Sequence, residues 1–333
     1  MALPRAAALS APPALPNGLP DGLPFTGPWL LAPMEGVTDS CFRDLVLARH
    51  DPRELGGAFT EFVRVLDRPL SPTEIQRHLR QKRLPMPVGV QLMGADLEAL
   101  AGSARSAVTA GAPLVDLNFG CPAKGALRGC AGAAVLRDPP QLERIVRVCH
   151  EAVGADVPVT AKIRAGFDDA ELLLDLAAAA ENGGAAMLTV HCRTRQESYQ
   201  PEVDWSRIAR AVQAVSIPVC GNGGIETHAD LERMRQETGC ALVMVGQAAL
   251  SDPWVFSGRV VDRREAASFL FEYAEALMAD GASRRGAVAR VKQLLRGWHA
   301  GGLIEGETDR AGWLRETDGE RFLERLATAA GVE

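Results

Sequence analysis

Short apolar runs rich in β-branched residues recur at intervals of roughly 25 to 35 residues, each followed by a longer stretch with helical spacing. The runs at 29–34, 58–63, 88–93, 114–118, 159–163, 187–191, 218–221 and 241–245 predict strands. Segments 96–110, 141–152, 169–182, 205–214 and 227–237 predict the helices between them. Strands apolar on both faces belong to parallel sheets covered by helices. An open doubly wound sheet would carry G-x-G-x-x-G after its first strand. Here the first strand ends in Ala32-Pro33-Met34-Glu35-Gly36. The expected fold class is therefore α/β, a (β/α)8 TIM barrel over 29–258 followed by a small all-helical C-terminal domain over 259–333. Helices are expected there at 265–278, 287–298 and 321–330. Residues 1–28 hold seven of the 21 prolines and are expected to form a disordered Pro/Ala-rich arm.

Polar residues gather at the carboxyl ends of the strands: Met34 and Glu35, Glu61 and Arg64, Gln91, Asn118 and Cys121, Lys162 and Arg164, His191 and Arg193, Asn222 and Gln247. That is the face on which barrel enzymes carry out chemistry. Composition narrows the class further. With 47% hydrophobic residues the chain can fill a large core, which excludes wholesale disorder. A net charge of −6 gives no global basic field, so any nucleic-acid contact has to be local. Two local runs exist. Between 281 and 304 stand Arg284, Arg285, Arg290, Lys292 and Arg296 with no acidic residue, and Arg64, Arg68, Arg77, Arg80, Lys82 and Arg83 crowd another stretch. The seven cysteines contain no C-x-x-C pair, which argues against a zinc site and a disulfide framework and fits a reducing cytoplasm. No apolar run reaches the ~18 residues of a membrane span.

Four features carry candidate chemistry. Asn222-Gly223-Gly224 and Gly246-Gln247 follow the last two strands, where barrel loops bind phosphate through backbone N–H groups. Lys162 is one of four lysines among 36 basic residues, and its alternation along 159–164 points it into the barrel mouth. A positive charge there stabilises an anionic ring or enolate, although a salt-bridged barrel lysine is the blander alternative. Cys121 lies in the loop Asn118-Phe-Gly-Cys-Pro122, accessible beyond a strand, with Lys124 three residues on; most free cysteines are simply small apolar residues. His191 ends the sixth strand and can bond a ring or a substrate, or be a satisfied core histidine.

These residues resemble the tRNA-dihydrouridine synthase family. The likeness rests on Leu31-Ala-Pro-Met-Glu-Gly-Val-Thr-Asp39, Val90-Gln-Leu-Met-Gly94 and Val115-Asp-Leu-Asn-Phe-Gly-Cys-Pro122. It continues through Ala161-Lys-Ile-Arg164, Val190-His-Cys-Arg-Thr194, Asn222-Gly-Gly-Ile225 and Val245-Gly-Gln247. Seven ordered motifs make it specific. The resemblance implies an FMN-containing barrel, NADPH as reductant, a helical domain that holds tRNA, and reduction of a D-loop uridine to 5,6-dihydrouridine. It implies that Cys121 protonates C5 of the base. Pro33, Met34, Glu35 and Gln91 would contact the flavin, Lys162 and His191 its electron-rich edge, and Asn222, Gly223, Gly224, Gly246 and Gln247 its phosphate. Glu61-Phe-Val-Arg64 and Arg290-x-Lys292 look most like the bacterial subgroup acting on position 16, with Arg64, Asn118, Arg193, Arg290 and Lys292 toward tRNA. No metal is implied, and a monomer is expected. Two departures stand out: Gln247 where the family usually has arginine, and Arg128-Gly-Cys-Ala-Gly132 in place of part of a glycine run. Two other readings stay open, a barrel reducing a free pyrimidine or small enone, and a non-catalytic RNA-binding barrel. Activity on free uridine would favour the first, and a colourless protein purified with tRNA the second.

Overall fold

Nine strands and the helices between them are defined in the computed structural model, which describes residues 19–80, 84–123, 125, 129–198 and 202–332. The strands are β1 (Trp29–Leu31), β2 (Leu55–Phe59), β3 (Val63–Arg64), β4 (Val88–Met93), β5 (Val115–Asn118), β6 (Val159–Arg164), β7 (Met187–His191), β8 (Val219–Asn222) and β9 (Leu242–Val245). All pair in parallel. β1 lies between β2 and β9, and β2 also pairs with β4, so eight strands close a barrel with β3 added beside the end of β4. The barrel expected from the sequence is the fold observed. Its register places Asn118 beside Lys162, and His191 between Arg164 and Asn222.

One strand differs from its expected position. The run expected at 58–63 is split: Ala58 and Phe59 end the strand Leu55–Phe59, the chain bends, and Val63 opens the short strand Val63–Arg64 beside β4. Gly56 and Gly57 hide β2 from propensity, yet packing demands them. A Cβ on Gly56 would fall 2.1 Å from the backbone of Gly27, and one on Gly57 would fall 2.7 Å from the Phe25 ring.

Alternation sorts the barrel into an outer and an inner set. Val115, Leu117, Ala161, Ile163, Leu188 and Val190 join the apolar cluster that packs against the helices. Leu30, Phe59, Leu114, Met187, Cys220 and Leu242 fill the interior at the floor. Phe25 closes that floor: it is buried, and its ring lies 5.9 Å from that of Phe59. The arm expected to be disordered through residue 28 is thus ordered in its last part, because the open end of the barrel needs an apolar plug. Thr26 anchors it, donating from Oγ1 to the Pro52 carbonyl at 2.7 Å. Residues 1–18 of that arm, and Lys82, Arg83, Lys124 and Arg128, lie outside the described residues.

The tail comprises helices Arg263–Ala279, Arg284–Leu295, Glu307–Arg315 and Gly319–Ala330. The helix Glu307–Arg315 was not expected; its buried face amounts to Trp313, too little for a periodic signal. Aromatic residues make up 5% of the chain, and they concentrate where the tail meets the barrel. Phe269 packs against Phe42 and Trp254 from the barrel and Trp298 from the tail at 5.7–5.8 Å, and Phe42 also meets Tyr273 edge-on. Such pairs add ~0.5–1.5 kcal/mol each beyond the area they bury, which holds the tail in one place. No helix among the described residues is long and apolar enough to cross a membrane.

Candidate active site

At the carboxyl ends of the strands a cavity of about 460 Å³ opens, a size suited to a cofactor. Pro33, Met34, Glu35, Asn118, Cys121, Lys162, His191, Arg193, Asn222, Gly223, Gly224, Gly246 and Gln247 all line it. The strand ends that sequence alternation singled out therefore converge on one space.

One wall is cationic and polar. Lys162 donates from Nζ to Asn222 Oδ1 at 3.0 Å, and Asn222 donates from Nδ2 to the Met244 carbonyl at 2.8 Å. Burial, with Arg164 nearby, pulls the Lys162 ammonium down to about 8, so it keeps its charge at neutral pH. His191 lies in the same field. Burial first, then Lys162, Arg164 and Arg193, drives its pKa well below the ordinary value and leaves the ring neutral. Its Nδ1 accepts the Arg193 backbone N–H at 3.2 Å, so the single ring proton sits on Nε2. Arg193 also donates from Nε to the Glu202 carbonyl at 3.3 Å.

The glycine loops form the next part. Gly223 and Gly224 have φ of +100° and +75°, conformations that only glycine adopts easily. A Cβ on Gly223 would come within 3.0 Å of the Cys192 sulfur and the His191 ring. Their N–H groups donate to no acceptor among the described residues. Gly246 leads into Gln247–Ser251 and its carbonyl takes the Ala249 N–H at 3.0 Å, which leaves the N–H groups of Gln247 and Ala248 without a helical carbonyl. The donor set, a cation, a neutral N–H donor and a glycine cradle, fits an anionic flat ring carrying a phosphate.

The loop after β5 brings Cys121, which is half-buried, to the same cavity. Burial, reinforced by Glu35, raises its thiol pKa, while Arg64 and Arg164 pull the other way. The thiol is therefore protonated at neutral pH. Asn118 shapes its loop, accepting the Gly120 and Cys121 backbone N–H groups on Oδ1 at 3.0 and 2.9 Å. Phe62 packs against the same small apolar cluster, Met93 and Ala131, as Cys121 does, and lines the cavity.

Several expected residues sit elsewhere. Gln91 does not line the cavity; it is fully buried beneath it, bonded to Asp116 and Asn118. Arg64 is exposed beside Gly125. Arg290 is bound inside the protein: it pairs with Asp39 at 2.6 Å and donates to the carbonyls of Gly36 and Val37 and to the Tyr273 hydroxyl. Its guanidinium thus ties the loop after β1 to the tail. Lys292 donates to the Leu314 and Glu316 carbonyls and sits 5.4 Å from the Phe322 ring centre. Among the described residues no cluster of metal-ligating side chains occurs. Sequence reading assigned no role to Asp116, Phe62, Asp39 or Tyr273. For Asp116 a signal existed: it is a carboxylate two residues before Asn118, on the same inward face of β5.

Comparison with known proteins agrees with this geometry. The family model described as dihydrouridine synthase (Dus) matches residues 30–284. A tRNA-dihydrouridine(16) synthase of Cupriavidus necator is 44% identical over 231 residues, covering 68% of this chain and 71% of that protein. A protein of the same description from Pseudomonas putida is 42% identical over 232 residues, covering 67% and 70%. Among solved structures, 2-naphthoyl-CoA reductase in complex with 2-naphthoyl-CoA superposes with a TM-score of 0.54 over 70% of this chain and 50% of that one. At 9% identity it shares the fold alone.

Proposed function

The chain belongs to the dihydrouridine synthase family, and on that footing we propose that it reduces uridine 16 of the tRNA D-loop to 5,6-dihydrouridine. The observation that carries this reading is the sharing of one cavity by a protonated Cys121, the Lys162–Asn222 pair, neutral His191 and the glycine cradle. FMN, reduced by NADPH, supplies hydride to C6 of the uracil ring when bound. Gly223, Gly224, Gly246 and Gln247 would hold its phosphate, Pro33 and Met34 would pack on its ring, and Lys162 and the His191 Nε2–H would face the ring's electron-rich edge. Gln91 supports this region from below.

Cys121 completes the reduction. Its thiol gives a proton to C5 as C6 gains hydride, so the C5–C6 double bond becomes single and the thiolate is reprotonated from water. A thiol kept protonated by burial is the form this step needs. Position 16 has to leave the RNA stack to enter the cavity, so the protein must grip the folded tRNA elsewhere. Residues 29–258 are the catalytic unit in this reading and 259–333 the docking unit. In this reading Arg64, exposed beside Gly125, and Arg193 on the cavity wall meet the entering nucleotide. Asn118 holds the loop beside it. Arg290 and Lys292 fix the tail, whose exposed Arg285 and Arg296 offer charge to phosphates. The protein works as a monomer in the cytoplasm in this reading.

The test is a position-by-position map of dihydrouridine in tRNA from cells with and without the gene. Loss at position 16 alone is expected. Loss at another position would discard the site assignment, and no loss with redundancy excluded would discard tRNA as substrate.

A further inference from the structure

A line of buried hydrogen bonds runs beneath Cys121. Thr160 Oγ1 donates to Asp116 Oδ1 at 2.6 Å, and Gln91 Nε2 donates to Asp116 Oδ2 at 2.7 Å. Asn118 Nδ2 donates to Gln91 Oε1 at 2.7 Å, and Asn118 Oδ1 accepts the N–H groups of Gly120 and Cys121. Asp116 and Gln91 are both fully buried, and Gln91 is further fixed by its N–H donating to Thr60 Oγ1 at 3.1 Å.

The direction of this line is set by its two ends. Backbone N–H groups only donate, so Asn118 must offer them its oxygen and turn its NH₂ toward Gln91. Gln91 must then offer its oxygen to Asn118 and its NH₂ to the next partner. That partner has to accept. An ionised carboxylate accepts and never donates, which makes it the one charge type that ends the line without ambiguity. Turning either amide over would bring two donors or two acceptors face to face in a buried site.

We propose that Asp116 is a positioning residue for the reaction: as the acceptor-only end of the Gln91–Asn118 line, it fixes which way both amides point and so holds the Cys121 loop against the cavity. A carboxylate inside a barrel is costly, and burial pushes Asp116 up to about 6 against the pull of Thr160, Gln91 and Lys162. Both of its oxygens accept, from Thr160 and from Gln91, as the ionised form does. The inference rests on the assignment of Cys121 as the acid, and its test separates the two.

Reversing the line tests it. In Asn118→Asp, two carboxylates compete for the one NH₂ of Gln91, and whichever loses faces the Gln91 oxygen. Uridine reduction and the alkylation rate of Cys121 by iodoacetamide, read on its own peptide in flavin-free protein, should each change about tenfold or more, with flavin content retained. In the double variant Asp116→Asn with Asn118→Asp, the new amide at 116 donates to Gln91, which turns over and donates to the carboxylate at 118. The Gly120 and Cys121 N–H groups keep their acceptor, so both readouts should return most of the way. Asp116→Asn alone should lower both readouts, though less than Asn118→Asp, since its NH₂ can turn to Thr160 but is no longer compelled to. A match to wild type in both would overturn the acceptor-only role. A double variant no better than Asn118→Asp, or an Asn118→Asp protein that matches wild type in both readouts, overturns the proposal. Should Asn118→Asp fail to fold, a folded double variant is the expected rescue, and an unfolded one counts against the proposal. If instead Cys121→Ala keeps full turnover, the acid assignment fails while the alkylation data still judge the line.

Discussion

The same eight strands build two unlike interiors. At the floor, Leu30, Phe59, Leu114, Met187 and Leu242 meet under the Phe25 plug. Two or four residues further along those strands the inward positions become Asp116, Asn118, Thr189 and His191. The floor needs only volume and dryness, and any well-shaped apolar set would serve. The mouth has to match its buried polar atoms to partners, as Asp116 is matched by Thr160 and Gln91, because a buried polar group without a partner costs more than a poor contact. The Thr189 hydroxyl is the exception. Within the barrel interior, apolar packing is thus gathered at one end and the candidate site at the other.

The largest effect should come from the mouth. Cys121→Ala should lower uridine reduction by about 10²–10⁴-fold, the usual contribution of a positioned proton donor, while the yellow flavin spectrum is kept. Turnover near wild type would remove Cys121 from that role. At the floor, Phe25→Ala should cost ~3–5 kcal/mol in urea unfolding and leave turnover per folded molecule unchanged. If it slowed the chemistry instead, the separation between the two interiors would fail.

Acid–base behaviour sharpens the same contrast, since the floor has nothing to titrate near neutrality. In flavin-free protein Lys162 is held down to about 8, against about 10.4 in an unfolded chain. Between those values the unfolded chain binds the proton that the folded one has released, so this group makes stability rise as pH climbs from about 8 toward 10. Lys162→Met should remove that part of the rise. Identical pH slopes for the two proteins in thermal unfolding would refute the placement.

Smaller effects are expected in the cradle. Gly223→Ala forces a side chain to φ +100° against His191 and Cys192, so it should cost ~1–3 kcal/mol and reduce the flavin-to-protein absorbance ratio. Gln247→Arg adds a cation where Gln247–Ser251 begins, and should tighten flavin binding by about 1 kcal/mol in a fluorescence titration. Unchanged affinity would mean the phosphate lies away from this turn.

Periodicity was enough to expect the barrel, because apolar strands alternating with amphipathic helices have few ways to bury both faces of a sheet. It missed the β2 position, where Gly56 and Gly57 serve a close backbone approach that no propensity reports. The candidate site was legible at residues ending strands, since a closed parallel barrel brings all such ends to one rim. Lys162, His191 and Cys121 stand where that rule puts them.

What the sequence determined by itself was the barrel's alternation of strands and helices, the strand ends that gather the candidate site, and the family, all of which depend on residue type and spacing along the chain. Only the tertiary structure decided what each polar group faces. It bound Arg290 to Asp39 and the loop after β1, placed Gln91 under the cavity, and made Asp116 the end of the line that holds Cys121. Those outcomes include pairs as far apart in the chain as 25 positions for Gln91 with Asp116 and 251 for Asp39 with Arg290. A hydrogen bond is decided by distance and direction between two atoms, and sequence spacing does not encode either one until the chain has closed.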